Sequence, residues 1–233
     1  MKNRVGLVLL NKNEYCSLKD LIPKIPVNLF DDVFAVDGGS TDESLNLFES
    51  YNILVLNQIS KGRGEAFKLA FERARRQKLN ALVFFSTDGN EDSSSLQEFI
   101  PLLNKGFDLV IASRMMTGGV NEEDYKILRF RKWGNILFSW MAYLSFGFWK
   151  KRKRITDPIN GFRAISLKAW DSMNAKSSGF SIEYETSIKS YKLGLRVEEF
   201  PTHERQRKYG KSSATAWATT KAMLITYIEN VGR

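Results

Sequence analysis

Along the first half of this chain short apolar runs alternate with amphipathic stretches, and the two periods mark out the elements. Runs at 5–10, 33–36, 53–56, 81–85 and 109–112 are almost wholly apolar, the pattern of strands covered on both faces. Between them, 40–51, 64–78 and 95–104 read as helices. In the second of these Ala66, Leu69, Ala70, Phe71 and Ala74 recur on one face. Ser17 is expected to cap a short helix that stops before Pro26, and Ser40 or Thr41 to cap a helix with Asp42 and Glu43 in its first turn. This alternation predicts βαβ units, hence an α/β fold: a mostly parallel, Rossmann-like sheet with helices on both faces. After Arg114 the rhythm breaks. A mostly helical insertion is expected up to 159–165, then helices near 167–173 and 183–193, a strand at 196–200 and a closing helix from about Ala214.

Composition narrows the class. The 233 residues are 43% hydrophobic and 26% charged, ordinary for a globular protein with a proper core, and no repeat or linker divides them. The formal charge of +9 points to an anionic partner, whether nucleotide, nucleic acid or acidic lipid. The single cysteine, Cys16, excludes an internal disulfide and fits a reducing, cytoplasmic setting. The apolar run 5–10 is too short for a secretory leader. The basic block Lys150-Lys151-Arg152-Lys153-Arg154 follows an uncharged, aromatic-rich stretch, 134–149, that is shorter than the roughly 20 residues a bilayer span needs. It reads either as a membrane-interface segment against anionic lipid or as a core helix followed by a solvated loop.

The chemistry-bearing residues cluster at expected strand ends, where ligands collect in open α/β sheets. Asp37 ends the second strand, with Gly38 and Gly39 allowing a tight turn before Ser40, and its carboxylate suits a base N–H or a ribose hydroxyl. Lys61-Gly62-Arg63-Gly64 opens a helix, whose amides and two cations would attract a phosphate. A dehydrogenase would need such a loop directly after the first strand, where Asn13-Glu14 stands instead. Thr87-Asp88 follows the fourth strand, and Asp88 is the expected contact for Mg²⁺ or Mn²⁺ bridging a diphosphate. Glu91 and Asp92 follow it, the latter reading as a helix cap. Asp157 precedes Pro158 and a turn at Asn160-Gly161-Phe162. Glu183 and Glu185, two apart on a helix, do not share a face, so one of them is expected to point into a cleft. Arg205, Arg207, Lys208 and Lys211 form a basic loop that reads either as closing over phosphates or as a solvated turn. His203, the sole histidine, excludes a histidine-based triad or metal cluster. A nucleic-acid-binding module is set aside because the acids at strand ends would repel phosphates.

These residues resemble family 2 of the inverting glycosyltransferases, in its dolichyl-phosphate mannose synthase-like branch. The likeness runs from Val5 to about Ser213 and rests on Asn13-Glu14, Val36 to Asp42, the 61–64 loop, Ser113-Arg114, Asp157 with Gly161-Phe162-Arg163, and Glu199-Phe200-Pro201 with Arg207-Lys208-Tyr209-Gly210-Lys211-Ser212. It implies a single GT-A domain over 1–233, with a nucleotide-sugar-binding half (1–114) and an acceptor-binding half (115–233). The donor is expected to be a UDP- or GDP-linked sugar held by Asn13, Glu14, Asp37, Gly39, Ser40, Lys61, Gly64, Thr87 and Asp88. The acceptor is expected to be a polyprenyl phosphate at the membrane, held by Arg114, Arg129, Arg131, Arg163, Glu185, Arg207 and Lys211, or a glycan hydroxyl. A phosphate acceptor is already ionised and needs arginines more than a base; a hydroxyl acceptor needs a carboxylate base, for which Asp157 is the candidate. Arg114 and Arg131 complete the expected catalytic group. One departure stands out. Ser86-Thr87-Asp88 replaces the family's Asp-x-Asp, so metal is expected to be held less tightly or mainly through the nucleotide. Without a transmembrane segment in the sequence, membrane attachment is expected to be peripheral, on the cytoplasmic face, through 133–154 or a membrane protein partner.

Overall fold

The computed structural model describes residues 3–125, 127–210 and 216–232. The chain runs β1 (Val5–Asn11), α1 (Tyr15–Leu21), β2 (Asp32–Asp37), α2 (Ser44–Ser50), β3 (Leu54–Asn57), α3 (Arg63–Arg76), β4 (Ala81–Ser86), α4 (Phe99–Asn104) and β5 (Leu109–Ser113). It continues with α5 (Phe130–Ala142), β6 (Arg163–Ser166), α6 (Leu167–Met173), α7 (Ile182–Leu193), β7 (Val197–Pro201) and α8 (Ala216–Val231). Among the described residues one seven-stranded sheet has the order β3-β2-β1-β4-β6-β5-β7. Every neighbouring pair is parallel except those made by β6, which runs antiparallel between β4 and β5.

Strand alternation sorts the core into two layers, because successive side chains leave opposite faces of a sheet. Val8, Phe34, Leu82, Phe84 and Ile111 face α3, α6 and α7. Leu7, Leu9, Ala35, Val83, Phe85 and Val110 face the layer of Leu18, Phe48, Leu96 and Phe99. Both faces are dry, which is why these strands read as continuous apolar runs. In the first layer Phe67 stacks on Phe84 with centroids 3.7 Å apart, and Phe71 on Trp170 at 4.4 Å. In the second, Phe162 packs edge-on to Phe85 at 5.0 Å.

Several boundaries differ from expectation for local reasons. Ser40 does not cap a helix: its hydroxyl donates to Asp37 Oδ1 and accepts from Asn13 N. Helix α2 therefore starts three residues later than Thr41, at Ser44, whose N–H is taken by Asp42 Oδ1 at 3.1 Å. Helix α1 begins before Ser17, at Tyr15, whose N–H is held by Asp42 Oδ2. The expected 95–104 helix divides into a 3-10 turn, Ser93–Glu98, capped by Asp92, and then α4. The insertion is less helical than expected: between β5 and β6 the helical part is α5 and the π and 3-10 turns that extend it to Lys150.

The order of β6 decides the site. Being reversed, it is entered at the carboxyl ends of β4 and β5, so the chain just before it, 157–162, lies along the crevice. The switch point where β2 and β4 leave β1 on opposite sides opens at the same edge.

Phe84 is fully buried between Phe67 and Phe71. Phe84→Ala is expected to lower unfolding stability by about 3–5 kcal/mol, through lost transfer energy plus an unfilled cavity. Urea denaturation should show a lower midpoint with an unchanged slope.

Candidate active site

A cavity of about 780 Å³ opens at the carboxyl ends of β1 and β4 and extends to the flank formed by α5 and α8. Asn11, Lys12 and Glu14 after β1, Ser86, Asp88 and Glu91 after β4, and Lys61 and Arg63 at the start of α3 line one side. Arg114, Arg131, Asn135, Asn160, Gly161, Glu183, Glu204 and Arg207 line the other. Phe130, Phe138, Phe180 and Met223 give the far end an apolar wall.

The expected residues fall into two groups. Glu14, Lys61, Asp88, Arg114, Arg131 and Arg207 line the cavity; Asn13, Asp37, Gly39, Ser40, Gly64, Thr87, Arg129, Asp157, Arg163 and Glu185 do not. Lys211, with Ser212, lies outside the described residues.

Asp37 is buried and its carboxylate is consumed by the turn: Oδ2 accepts from Gly39 N and Ser40 N, and Oδ1 from Asn11 Nδ2 and the Ser40 hydroxyl. Gly39, at φ 85°, occupies the left-handed region that this turn needs. Asn13 braces the same turn, with Oδ1 accepting from Thr41 N at 2.7 Å. Thr87 is buried, donating to Leu10 O or Asn11 Oδ1. These residues shape the β1–β2 side of the cavity from beneath.

Gly64 does not offer its amide to an anion. The N–H groups of Gly64 and Glu65 both point at Ser178 O, at 2.8 and 3.3 Å. The contact is so close that a Cβ on Gly64 would lie 1.9 Å from Ser177 O, and one on Gly62 2.2 Å from Ser178 O. The two glycines let the 177–178 backbone seat on the helix start, and Lys61 and Arg63 line the cavity, Arg63 paired with Glu183.

Asp157 is not a candidate base in this arrangement. It is fully buried, its Oδ2 accepts from Arg114 N and Nε, and its Oδ1 accepts from Arg114 Nη2 and Asn135 Nδ2. Burial opposes its charge, but the Arg114 fork and these hydrogen bonds outweigh that and hold the carboxyl below its usual range. A low, sealed, fully paired carboxylate takes no proton from substrate. Arg114 in turn spends its third nitrogen on Glu204, at 2.9 Å, so it joins two acids instead of presenting a free fork. Glu199 supports the same loop from below, accepting from Thr156 N and Asp157 N.

Arg163 is likewise structural. Its guanidinium is buried and donates to the main-chain oxygens of Pro158, Asn160 and Glu183. Arg129 donates to Asp124 O and pairs with Asp124. Arg131 is half exposed, and its ion pair is with Glu122 at 3.0 Å, a contact cheap to exchange. Of the two glutamates on α7, Glu183 enters the cavity, whereas Glu185 turns back to accept from Lys176 N and Ser177 N and to pair with Lys189. Spacing had shown that one of the two would face inward; which one depends on how α7 is rolled against β6.

Residues missed from the sequence are Asn135 and Glu204, whereas Asn160 lies in the expected turn and lines the cavity. Asn135 sits in an apolar run and Glu204 beside a lone histidine, and neither carries a motif that would have singled it out.

Arg207 bridges Glu14, at 2.9 Å, and Asp88. Among the described residues no group of three or more acids, histidines or cysteines could cage a metal. The donor set nonetheless fits Mg²⁺ or Mn²⁺ held by a single carboxylate, Asp88, with the remaining oxygens supplied by substrate phosphates. Glu91, beside it, is pushed up to about 8 by burial and by Asp88, against the pull of Arg63.

With this geometry in view, comparison with known proteins assigns the class. The sequence model of glycosyl transferase family 2 matches residues 8–172, and the chain belongs to that family. It is 24% identical over 208 residues to the undecaprenyl-phosphate mannosyltransferase of Micrococcus luteus, covering 89% of this chain and 83% of the relative. It is 24% identical over 204 residues to the polyprenol monophosphomannose synthase of Mycolicibacterium smegmatis, covering 86% and 74%. Among solved structures, glucosyl-3-phosphoglycerate synthase from Mycobacterium tuberculosis, crystallised with Mn²⁺, UDP and phosphoglyceric acid, aligns with a TM-score of 0.77. That alignment covers 99% of this chain and 79% of the other, at 19% identity. The α/β fold is thus the GT-A arrangement that the motifs implied, and the protein is a glycosyltransferase.

Gly64→Ala is expected to cost about 1–3 kcal/mol, because backbone must move to relieve the overlap. Gly179→Ala, whose Cβ would meet nothing within 4 Å, is the control. Thermal melts of the two should diverge.

Glu91 also predicts a pH effect. Its folded value of about 8 exceeds the ordinary 4.5, so between those limits the folded protein keeps a proton that the unfolded chain releases. Stability should fall as pH rises through that window. In metal-free protein, Glu91→Gln is expected to flatten the decline of Tm between pH 5 and 8; parallel curves for the two proteins would contradict the assignment.

Proposed function

We propose that the protein transfers a hexose, with inversion, from a nucleoside diphosphate to a polyprenyl phosphate at a membrane surface. The observation that carries this reading is the continuity of one cavity. It begins at strand-end residues suited to a nucleotide diphosphate and ends between α5 and α8, two helices with large apolar side chains turned to solvent.

On the donor side, Lys12, Lys61 and Arg63 line the cavity where a diphosphate would lie, and Asn11, Gly38 and Gln58 line the part nearest β2. Asp37, Gly39, Ser40, Asn13 and Thr87 fix the shape of that wall. A divalent cation at Asp88 would supply electrostatic stabilisation to the leaving diphosphate. Arg207 brings a second positive charge to the same place, and Lys211 belongs to the same basic segment.

On the acceptor side, a polyprenyl phosphate oxygen is ionised at neutral pH and attacks without a base. That suits a site whose expected base, Asp157, is sealed under Arg114. Arg131 is the cation best able to take the acceptor phosphate, since it lines the cavity, is half exposed and gives up only a surface ion pair. Arg114 contributes by holding the 157–160 loop in place.

The surface favours a lipid-borne acceptor. Trp133, Leu137, Trp140, Leu144, Phe148 and Trp149 are exposed, as are Trp217, Leu224, Ile225 and Ile228 on α8. The adjoining 150–154 block carries five positive charges, of which Arg154 folds back over the Trp140 ring at 4.6 Å. No helix among the described residues is long and apolar enough to cross a membrane. Peripheral attachment to anionic lipid, on the face where nucleotide sugars are made, is therefore part of the proposal. The two polyprenyl-phosphate relatives named above favour the same acceptor class.

The test is incubation with Mg²⁺ or Mn²⁺, labelled UDP- and GDP-sugars and a short polyprenyl phosphate, followed by organic extraction. Label is expected in the organic phase with one donor. Arg131→Ala should raise KM for the polyprenyl phosphate about tenfold or more while leaving nucleotide binding unchanged. Label found only in a water-soluble glycoside, or an Arg131→Ala enzyme with wild-type KM, would overturn the acceptor assignment.

A further inference from the structure

Besides Asn90 Oδ1, three buried polar atoms on the wall of the cavity have no hydrogen-bond partner: Glu183 Oε2, Asn135 Oδ1 and Arg63 Nε. Glu183 and Asn135 are 2% and 1% exposed, and all three residues line the cavity. Buried polar groups are nearly always satisfied, so a cluster of orphans on a cavity wall marks where a ligand's own polar groups belong.

Their orientation is imposed by neighbours. Asn135 Nδ2 donates to the Asp157 carboxylate at 2.6 Å, which can only accept, so the amide cannot flip and Oδ1 faces away from it. The Arg163 fork holds the Glu183 main-chain oxygen at 2.8 Å, anchoring the start of α7. Arg63 lies over Gly161 so closely that a Cβ there would stand 1.9 Å from its Nη2. Arg63 Nε approaches Glu183 Oε1 at 2.5 Å as an ion pair, yet its N–H is not directed into a hydrogen bond. Two acceptors and one donor are thus held in fixed positions beyond the expected diphosphate.

From this we infer that Glu183 and Asn135 select the transferred sugar: each orphaned oxygen accepts a hydrogen bond from a sugar hydroxyl, Arg63 donates to one, and the site takes a neutral, hydroxyl-bearing sugar and rejects a uronic acid. A hydroxyl both donates and accepts, matching the mixed set. A sugar carboxylate would meet the Glu183 carboxylate and the Asn135 amide oxygen, neither able to donate to it, while the Arg63 charge is already matched by Glu183. The inference rests on the donor reading above, and it names the class of sugar, which neither the motifs nor the relatives fix for this chain.

The experiment is calorimetric titration in Mn²⁺ of UDP and GDP, then of UDP-glucose, GDP-mannose and UDP-glucuronic acid, against wild type, Glu183→Ala and Asn135→Ala. Each variant should bind the bare nucleotide within about twofold of wild type and the neutral nucleotide sugar about tenfold or more weakly. UDP-glucuronic acid should bind wild type no better than UDP does. Equal weakening of nucleotide and nucleotide sugar would make the two residues merely structural, and tight glucuronic acid binding would overturn the selection outright. Should a variant not fold, deoxyfluoro sugars in the preferred donor decide the matter on wild type. Fluorine cannot donate, so at least one position must lose affinity; undiminished binding at every position refutes the inference. Failure of wild type to bind any nucleotide would instead remove the donor reading itself.

Discussion

The buried pairing of Asp157 with Arg114 is the contact on which the site depends. A carboxylate with no solvent exposure is tolerable only when its lone pairs are filled, and here a main-chain N–H, two nitrogens of a guanidinium and an amide fill them. The pair binds the end of β5 to the loop preceding β6, and Asn135 adds the insertion through α5. Glu204 extends the network to the segment after β7, and through Asn90 and Asn121 to the loops after β4 and β5. Breaking one partner would leave an uncompensated charge inside, so the loops around the crevice hold or loosen together.

That network is only reachable because β6 runs backwards. Had the strand between β4 and β5 been parallel, the chain entering it would have come from the opposite edge of the sheet, away from the carboxyl ends. The reversal brings Asp157, Asn160 and Gly161 to the same edge as Asn11 and Asp88, and it lets Arg163, the first residue of β6, reach back to the start of α7. The cavity wall from the first half of the chain and the wall from the second meet there, although they are far apart in sequence.

Charge is distributed unevenly between these walls. Near β1 and β2, Lys12 and Lys61 line the cavity while Asp37 and Asp42 are spent on turns. Glu14 and Asp88 do line the cavity, and both are answered by Arg207, from a loop more than a hundred residues away. The far side sets carboxylates under burial, where Glu183, Glu199 and Glu204 are all raised above the ordinary range. A neutral sugar beneath an anionic diphosphate suits such a division.

Much of this could be read without coordinates. Apolar runs at 5–10, 33–36 and 81–85 are long enough and dry enough on both faces that only strands of a covered parallel sheet satisfy them, and the motifs at their ends fall where such sheets bind ligands. The family and its fold follow from those motifs. The direction of β6 did not follow, since a four-residue strand looks alike in either sense and pairing is settled by long-range hydrogen bonds. Side-chain roles were hidden for the same reason. Asp157, Arg163 and Gly64 stand in recognisable motifs, yet whether a carboxylate faces substrate or a guanidinium, and whether a helix amide faces a phosphate or Ser178 O, depends on what the rest of the chain packs against it. Local pattern determines which elements form and, to within a few residues, where most of them lie. Only tertiary packing decides which polar groups are consumed in holding the site and which, like Glu183 and Asn135, are left for a ligand.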